Sequence, residues 1–255
     1  MDEALRKIAR MLVESLHAVA LTGAGVSTES GLPDFRSRGG LWQDQDAVRL
    51  LSLEVLYGDP LRFYSRGLHL LRTFRGRSPN AAHRALARLE EMGLLKCVIT
   101  QNIDGLHQAA GSQNVLEIHG HLRTASCLVC RRVFPFDFLE ESVSAGRIPP
   151  ECPACGGTMR PDVVFFGDPM APDFERAVEE CSRSDFMLVV GSSLQVAPAA
   201  YLPGLVPRIA IVNLEPTAYD DAAEAVIHGK AGTVLTELVR VVEELAGRPE
   251  TTTER

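Results

Sequence analysis

Leu5, Ile8, Leu12 and Leu16 recur at helical spacing between charged residues, so 4–16 is expected to be an amphipathic helix. A short apolar run follows at 17–21 and ends in Thr22-Gly23-Ala24-Gly25, the pattern of a buried strand running into a glycine turn. Asp59-Pro60 supplies an N-cap and a first-turn proline for a helix to about Phe74, and Ser78-Pro79 repeats the device for a helix ending near Gly93. Further apolar, β-branched runs at 97–100, 115–118, 186–190 and 209–213 read as strands, and 233–245 closes the pattern as an amphipathic helix. Strands without polar alternation, separated by helices, indicate a parallel sheet covered on both faces.

Two stretches break this rhythm. From about 121 to 159 the chain carries paired cysteines, Pro149, Pro150, Pro153 and Gly156-Gly157, and reads as a small insert in the α/β body. Residues 37–52 mix Gly39-Gly40 with charges and read as a mobile loop. The expected division is therefore a main domain from 1–36, 77–120 and 160–247. A loop and helical insert span 37–76, a second insert 121–159, and a frayed tail 248–255.

Length and charge then narrow the function classes. The 255 residues suit one large domain or a main domain with inserts, and a net charge of −7 gives no general attraction to nucleic acid or anionic membrane. The uncharged run 186–207 is interrupted by Gly191, Pro198, Pro203, Gly204 and Pro207, so no spanning helix is expected there. Acids occur at once in the first residues, without the apolar core of a signal peptide, so a cytoplasmic protein is expected.

The six cysteines carry the strongest chemical signal. Cys127-x-x-Cys130 and Cys152-x-x-Cys155 have 21 residues between the pairs, enough for a hairpin to bring four thiolates around one tetrahedral ion. An all-sulfur set has no open position, so the expected ion, Zn²⁺, is structural; the alternative is two redox-active or simply buried pairs. Cys97 and Cys181 read as small core residues. The insert holds five arginines against four acids between 121 and 160, so a nucleic-acid-binding face is not expected.

A strand running into Gly23-Ala24-Gly25 lets backbone N–H groups approach a diphosphate, although no third glycine completes the dinucleotide fingerprint. Asn213-Leu214-Glu215 ends a later strand and offers a carboxylate for ribose hydroxyls, or forms an ordinary turn. Thr100-Gln101-Asn102-Ile103-Asp104 and Ile118-His119-Gly120 end two more strands. In a doubly wound sheet these ends converge on one crevice, where an imidazole near neutral pKa is able to act as a base. Taken alone, a histidine such as His119 at a strand end is more often a satisfied turn residue.

The ordered set identifies a family. Gly23-Ala24-Gly25-x-Ser27, 31–36 (Gly-Leu-Pro-Asp-Phe-Arg), 100–104, His119-Gly120 and the cysteine quartet occur in one order with Phe166-Gly167, 191–196 and 212–215, and together they resemble the sirtuins, the NAD-dependent protein deacylases. The likeness runs from about Ala4 to Leu245. It implies an α/β fold, a Rossmann-like doubly wound parallel sheet with a small zinc-ribbon plus helical insert domain. It implies NAD as co-substrate, one structural Zn²⁺ and acyl-lysine proteins or peptides as partners, in a monomer without nucleic acid or membrane.

By matching position, His119 is similar to the family's general base, with Asn102 and Gln101 ordering the nicotinamide ribose and Asp104 holding the carboxamide. Gly23, Ala24, Gly25, Ser27, Gly191, Ser192 and Ser193 resemble the diphosphate and ribose contacts, with Asp34, Phe35 and Arg36 in the adjoining loop and Ile103 beside them. Asn213, Leu214, Glu215 and Ala231 match the adenosine end. Val164, Phe166 and Val196 are similar to the walls of the acyl-lysine tunnel, and the segments at Gly167 and Leu194 to the strands that take the peptide backbone.

Two positions depart from the family pattern. Asp168 stands where Glu is usual, and Tyr64-Ser65-Arg66-Gly67 has glycine where members specialised for succinyl or malonyl lysine carry arginine. Uncharged acyl groups are therefore expected, with Arg62 or Arg66 as the alternative partners for an acid. Competing functions are protein mono-ADP-ribosyl transfer and a non-catalytic NAD-binding zinc-ribbon module.

Overall fold

The computed structural model describes residues 2–33 and 49–246. The expected loop segment 37–48, the positions Asp34, Phe35 and Arg36 and the expected tail 248–255 lie outside the described residues. Six strands form one parallel sheet: β1 (Ala18–Thr22), β2 (Cys97–Thr100), β3 (Val115–Glu117), β7 (Phe186–Val190), β8 (Ile209–Asn213) and β9 (Ala225–His228). Their order is β3-β2-β1-β7-β8-β9. Three more, β4 (Gly120–Cys127), β5 (Val133–Pro135) and β6 (Met159–Val163), make a small antiparallel sheet in the order β5-β4-β6.

Every residue of β1 and β7 is buried, and alternate side chains serve opposite faces. Ala18, Ala20 and Leu188 pack under the helices Asp2–Glu14, Ala81–Glu91 and Ala231–Ala246, against Ile8, Leu12, Leu86 and Leu238. Val19, Leu21, Met187 and Val189 face the helix Asp173–Arg183 and the 3₁₀ segment Ala199–Leu205. Cys97 and Cys181 lie in that second layer, fully buried, and burial pushes both thiols up to about 12, so they behave as apolar filler. Chain order reverses between β1 and β7, and the crevice of a doubly wound sheet opens at such a point.

Local chemistry moved two expected boundaries. Helix Asp2–Glu14 stops before Leu16, which is 86% exposed, because Ser15 and the backbone N–H groups of Leu16 and His17 turn to the Asp185 carboxylate. The cap of Ala81–Glu91 is Asn80 and not Ser78: Asn80 Oδ1 accepts from Ala82 and His83 N–H, while His83 Nδ1 accepts from Asn80 N–H.

The insert helix begins as expected, with Asp59 accepting from Arg62 N–H and Pro60 in the first turn. It then widens into a π turn, Phe63–Gly67, before Leu68–Arg72. The extra residue per turn lets the pairs 63–64 and 67–68 both face inward. Phe63 meets the rings of Tyr64 and Phe165 edge-on, at 5.0 and 5.2 Å. Tyr64 is buried in the small domain's core with Phe136, Leu139 and Met159, and its hydroxyl donates to the Met159 carbonyl on β6. Insert helix and small sheet are thereby tied into one body.

Tyr64→Phe removes that donor, leaves a buried carbonyl unsatisfied and is expected to lower unfolding free energy by about 1–2 kcal/mol. Urea unfolding measures it, and an unchanged midpoint contradicts the tie.

Candidate functional site

The carboxyl ends of the parallel strands and the small domain enclose a cleft of about 1080 Å³. Gly23, Ala24 and Gly25 follow β1, and Gly191, Ser192 and Ser193 follow β7. Gly25 N–H donates to the Gly191 carbonyl at 2.8 Å, and a Cβ on Gly25 would stand 2.8 Å from the Gly191 backbone. A Cβ on Gly191, whose φ is +60°, would stand 2.3 Å from Val26 N. Two turns can meet this closely only as glycines, and the result is a shallow floor where backbone approaches a ligand directly.

Gln101 joins the strand ends across that floor. Its N–H donates to the Thr22 carbonyl at 3.0 Å and its side-chain amide to Ser192 Oγ at 2.9 Å. Its own carbonyl accepts from His119 Nδ1 at 2.8 Å. A carbonyl only accepts, so Nδ1 carries the proton and Nε2 holds the lone pair of a neutral ring. Burial pushes the His119 pKa below the ordinary imidazole value, and the Gln101 carbonyl partly offsets it.

His119 sits where the chain crosses from β3 to the small sheet. Gly120 makes the corner with φ +74°, and a Cβ there would lie 2.2 Å from the Asp162 carbonyl. The His119 carbonyl in turn accepts from Val164 N–H at 2.9 Å as the chain returns from β6.

Behind the floor lies a second, small pocket lined by Ser27, Leu32, Phe74, Ile103 and Asp104 among others. Ser27 Oγ donates to Asp104 Oδ2 at 2.7 Å and accepts from Asn102 Nδ2 at 3.1 Å. His83 Nδ1 is occupied by Asn80 N–H, so Nε2–H donates to the same serine at 3.3 Å. Asp104 Oδ1 takes Leu106 N–H at 2.9 Å, yet burial still pushes its pKa up. His107, edge-on to His83 at 4.9 Å, bonds Thr22 Oγ1 at 2.9 Å. Burial drives His83 down to about 4 and His107 to about 3, so both stay neutral.

Gln101, Asn102, Ile103, His119, Val164, Phe166, Gly167 and Val196 all line the cleft, as do Asn213, Leu214, Glu215 and Ala231 at its far end. Ser27 and Asp104 line the smaller pocket. Leu194 does not: its side chain is buried in the core beneath the cleft, with φ +52°. Sequence reasoning missed Thr28, Glu29 and Lys230, and the apolar wall of Leu51, Leu70, Leu71, Phe74, Phe165 and Met170. Of these, the sequence placed Leu70, Leu71 and Phe74 only within an expected helix, and Leu51 within an expected loop. His83 stands at the third position of a helix behind an asparagine cap, a spacing that marks a capping box in the sequence.

The four insert cysteines converge. Their sulfurs lie within 4.8 Å of one another, with Cys127–Cys155 at 3.5 Å and Cys130–Cys152 at 3.7 Å. Those separations exceed a disulfide bond and fit the roughly 3.8 Å edge of a tetrathiolate around one metal ion. Val129 and Cys130 N–H both donate to Cys127 Sγ at 3.4 Å, stabilising a thiolate there. With four sulfurs the coordination sphere closes, leaving no position for a substrate.

The model of the Sir2 family matches residues 23–198. The NAD-dependent protein deacetylase 2 of Caldanaerobacter subterraneus subsp. tengcongensis is 47% identical over 239 residues, covering 93% of this chain and 96% of its own. The NAD-dependent protein deacetylase of Caldivirga maquilingensis is 49% identical over 234 residues, covering 90% of each. A solved complex of Sir2 with a p53 peptide and NAD⁺ superposes with a TM-score of 0.83 at 36% identity, over 95% of this chain and 98% of that one.

Two outcomes follow from the site's physics. In the unfolded chain His83 and His107 regain a pKa near 6.5, so between pH 6.5 and their folded values the unfolded state binds more protons. Stability is full above that window and falls with pH by about 1.4 kcal/mol per unit per histidine. Urea midpoints from pH 6.5 to 4.5 measure the slope, and His107→Gln should remove its share; an unaltered slope contradicts the assignment. Chelation of an ion held by these four sulfurs should release amide protection in β4–β6 while β1, β2 and β7 stay protected. Hydrogen exchange reads this directly, and retained β4–β6 protection contradicts a structural ion.

Proposed function

The chain belongs to the Sir2 family, and from that premise we infer that it is an NAD-dependent protein-lysine deacylase acting on uncharged acyl groups. NAD would supply a ribose carbon for attack by the acyl oxygen as nicotinamide leaves; with one water consumed as the lysine amine departs from the acyl carbon, the products are free lysine, nicotinamide and O-acyl-ADP-ribose. The observation that carries the reading is the fixed tautomer of His119: Nδ1–H is spent on Gln101, so Nε2 can take a proton from a ribose hydroxyl. That deprotonated oxygen then attacks the activated acyl carbon, and no protein nucleophile is required.

The residues present fit the co-substrate. The glycine turns bring the backbone N–H groups of Ala24, Ser192 and Ser193 and the Ser193 hydroxyl to the floor where a diphosphate would lie, and Asn213 and Glu215 offer an amide and a carboxylate to the adenosine ribose. Asp104 and Ser27, behind Asn102, suit a carboxamide. We assign Asp34, Phe35 and Arg36 to the same co-substrate from the family likeness alone. The ion of the cysteine site is Zn²⁺, in keeping with four thiolates at tetrahedral spacing.

Charge at the acyl end supports the preference for uncharged groups. Among the described residues Lys230 is the one cation lining the cleft, and it stands at the adenosine end beside Ala231 and Asn213. Arg62 and Arg66 are not among the lining residues, and a Cβ on Gly67 would point to the Leu50 carbonyl, 3.2 Å away. The acyl group would meet Leu51, Leu70, Leu71, Phe74 and Phe165.

We place the protein in the cytoplasm as a monomer, a setting that keeps its thiols reduced. Among the described residues no helix is long and apolar enough to cross a membrane.

The test is an NAD-dependent assay on acetyl- and succinyl-lysine peptides, read by mass spectrometry. Acetyl loss with nicotinamide release is expected, at least about a hundredfold faster than succinyl loss, since a carboxylate would be buried without a partner. His119→Ala should lower deacylation by about a thousandfold or more while leaving NAD affinity within about threefold. Transfer of ADP-ribose to the peptide, equal succinyl turnover or an active His119→Ala would overturn the corresponding part.

A further inference from the structure

Asp168 and Arg160 form an ion pair at the rim of the cleft, with side chains only 9% and 15% exposed. Arg160 Nη1 reaches Asp168 Oδ1 at 3.0 Å and Nη2 reaches Oδ2 at 2.5 Å, a two-pronged contact. Nη2 also donates to the Val163 carbonyl at 2.8 Å, and the guanidinium lies 5.0 Å over the Phe165 ring. Asp168 Oδ2 accepts from Phe165 N–H at 2.9 Å, while Asp168 N–H donates back to the Phe165 carbonyl at 2.9 Å. Residues 165–168 are therefore a closed turn whose third residue, Gly167, takes the required positive φ of +93°.

The far edge of this turn is also occupied. Phe166 N–H donates to the Leu51 carbonyl at 3.1 Å, and Leu53 N–H donates to the Phe166 carbonyl at 3.0 Å, a parallel bridge centred on Ser52. Phe165 is held by Asp168 and Phe166 by 51–53. The backbone of Gly167, which lines the cleft, is left to receive an extended peptide. The Asp168 carboxylate has both oxygens engaged inside the turn, so its influence on a peptide is indirect.

We propose that Arg160 and Asp168 are positioning residues for the peptide substrate, whose buried ion pair holds the 165–168 turn so that Gly167 offers its backbone to residues flanking the acyl-lysine. The aspartate thus serves without reaching the substrate, and its length is set by the turn it closes. A glutamate at 168 would push the carboxylate about one methylene further and disturb the simultaneous contacts to Arg160 and Phe165 N–H. This inference rests on the deacylase reading, and it concerns only the part of the substrate beyond the reacting lysine.

The test compares wild type and Asp168→Asn on two substrates, an acetyl-lysine within a peptide of about ten residues and a single acetyl-lysine with both ends blocked. Asp168→Asn is expected to raise the peptide KM about tenfold, with kcat, the KM for NAD and kcat/KM on the single acetyl-lysine all within about twofold. Arg160→Met should give the same pattern, and the double variant should be no worse than either single one, since the pair acts as a unit. Asp168→Glu, which keeps the charge, should fall between Asn and wild type and decides the matter if Asp168→Asn fails to fold. Equal losses on both substrates would mean general damage to the cleft and overturn the proposal, as would an unchanged peptide KM. A wild-type protein that deacylates neither substrate would instead overturn the deacylase reading.

Discussion

One residue holds the floor of the cleft together. Gln101 extends the β1–β2 pairing through its N–H, ties β7's turn through its side chain and fixes the His119 ring through its carbonyl. The three bonds run to three different strand ends, so the ring's tautomer is set by the sheet itself. A parallel sheet supplies this arrangement because all its strands finish on the same side, and a reversal in chain order opens a crevice there. The chemistry needs a neutral imidazole with its free nitrogen in the cleft, and both burial and the Gln101 contact serve that end in different ways. Burial favours the uncharged ring, while the carbonyl decides which nitrogen keeps the free lone pair.

Around that floor, polar groups are buried in pairs that leave little freedom. Ser27 is shared by His83, Asn102 and Asp104, and the two neutral histidines stand behind it as uncharged props. The small domain is held differently. Among the described residues its sheet has three strands, and the four converged cysteine sulfurs stand where an ion would supply the local constraint that a larger core otherwise provides. Because Gly120 turns the chain directly from His119 into that sheet, and Val164 bonds the His119 carbonyl on return, the order of the small domain bears on the position of the His119 ring. The rim turn closed by Arg160 and Asp168 continues the same returning segment.

Much of this was legible in the order of residues because it depends on local signals. Unbroken apolar runs located β1, β2, β7 and β8, and glycines beside them marked the turns where backbone meets ligand. The cysteine spacing predicted convergence, and the sulfurs converge. What escaped depends on partners distant in sequence. β9 has four residues at a sheet edge and is defined by pairing with β8. Leu16 looked like the last apolar position of a helix, but Asp185, 169 residues away, captures the chain first. The substitution at 168 was visible as a departure, yet its consequence required seeing that the carboxylate folds back on Phe165 and Arg160. The π turn at 63–67 likewise follows from burying two adjacent aromatic residues at once, which no regular helical spacing encodes.

The central claim is that His119 is a neutral base with its proton on Nδ1. Nitrogen-15 NMR of the imidazole in the full-length protein, followed from pH 5 to 8, reports both the tautomer and the titration midpoint. The account predicts a protonated Nδ1, an unprotonated Nε2 at neutral pH and a midpoint below 6.5. An Nε2–H tautomer, or a midpoint above 7, would contradict it.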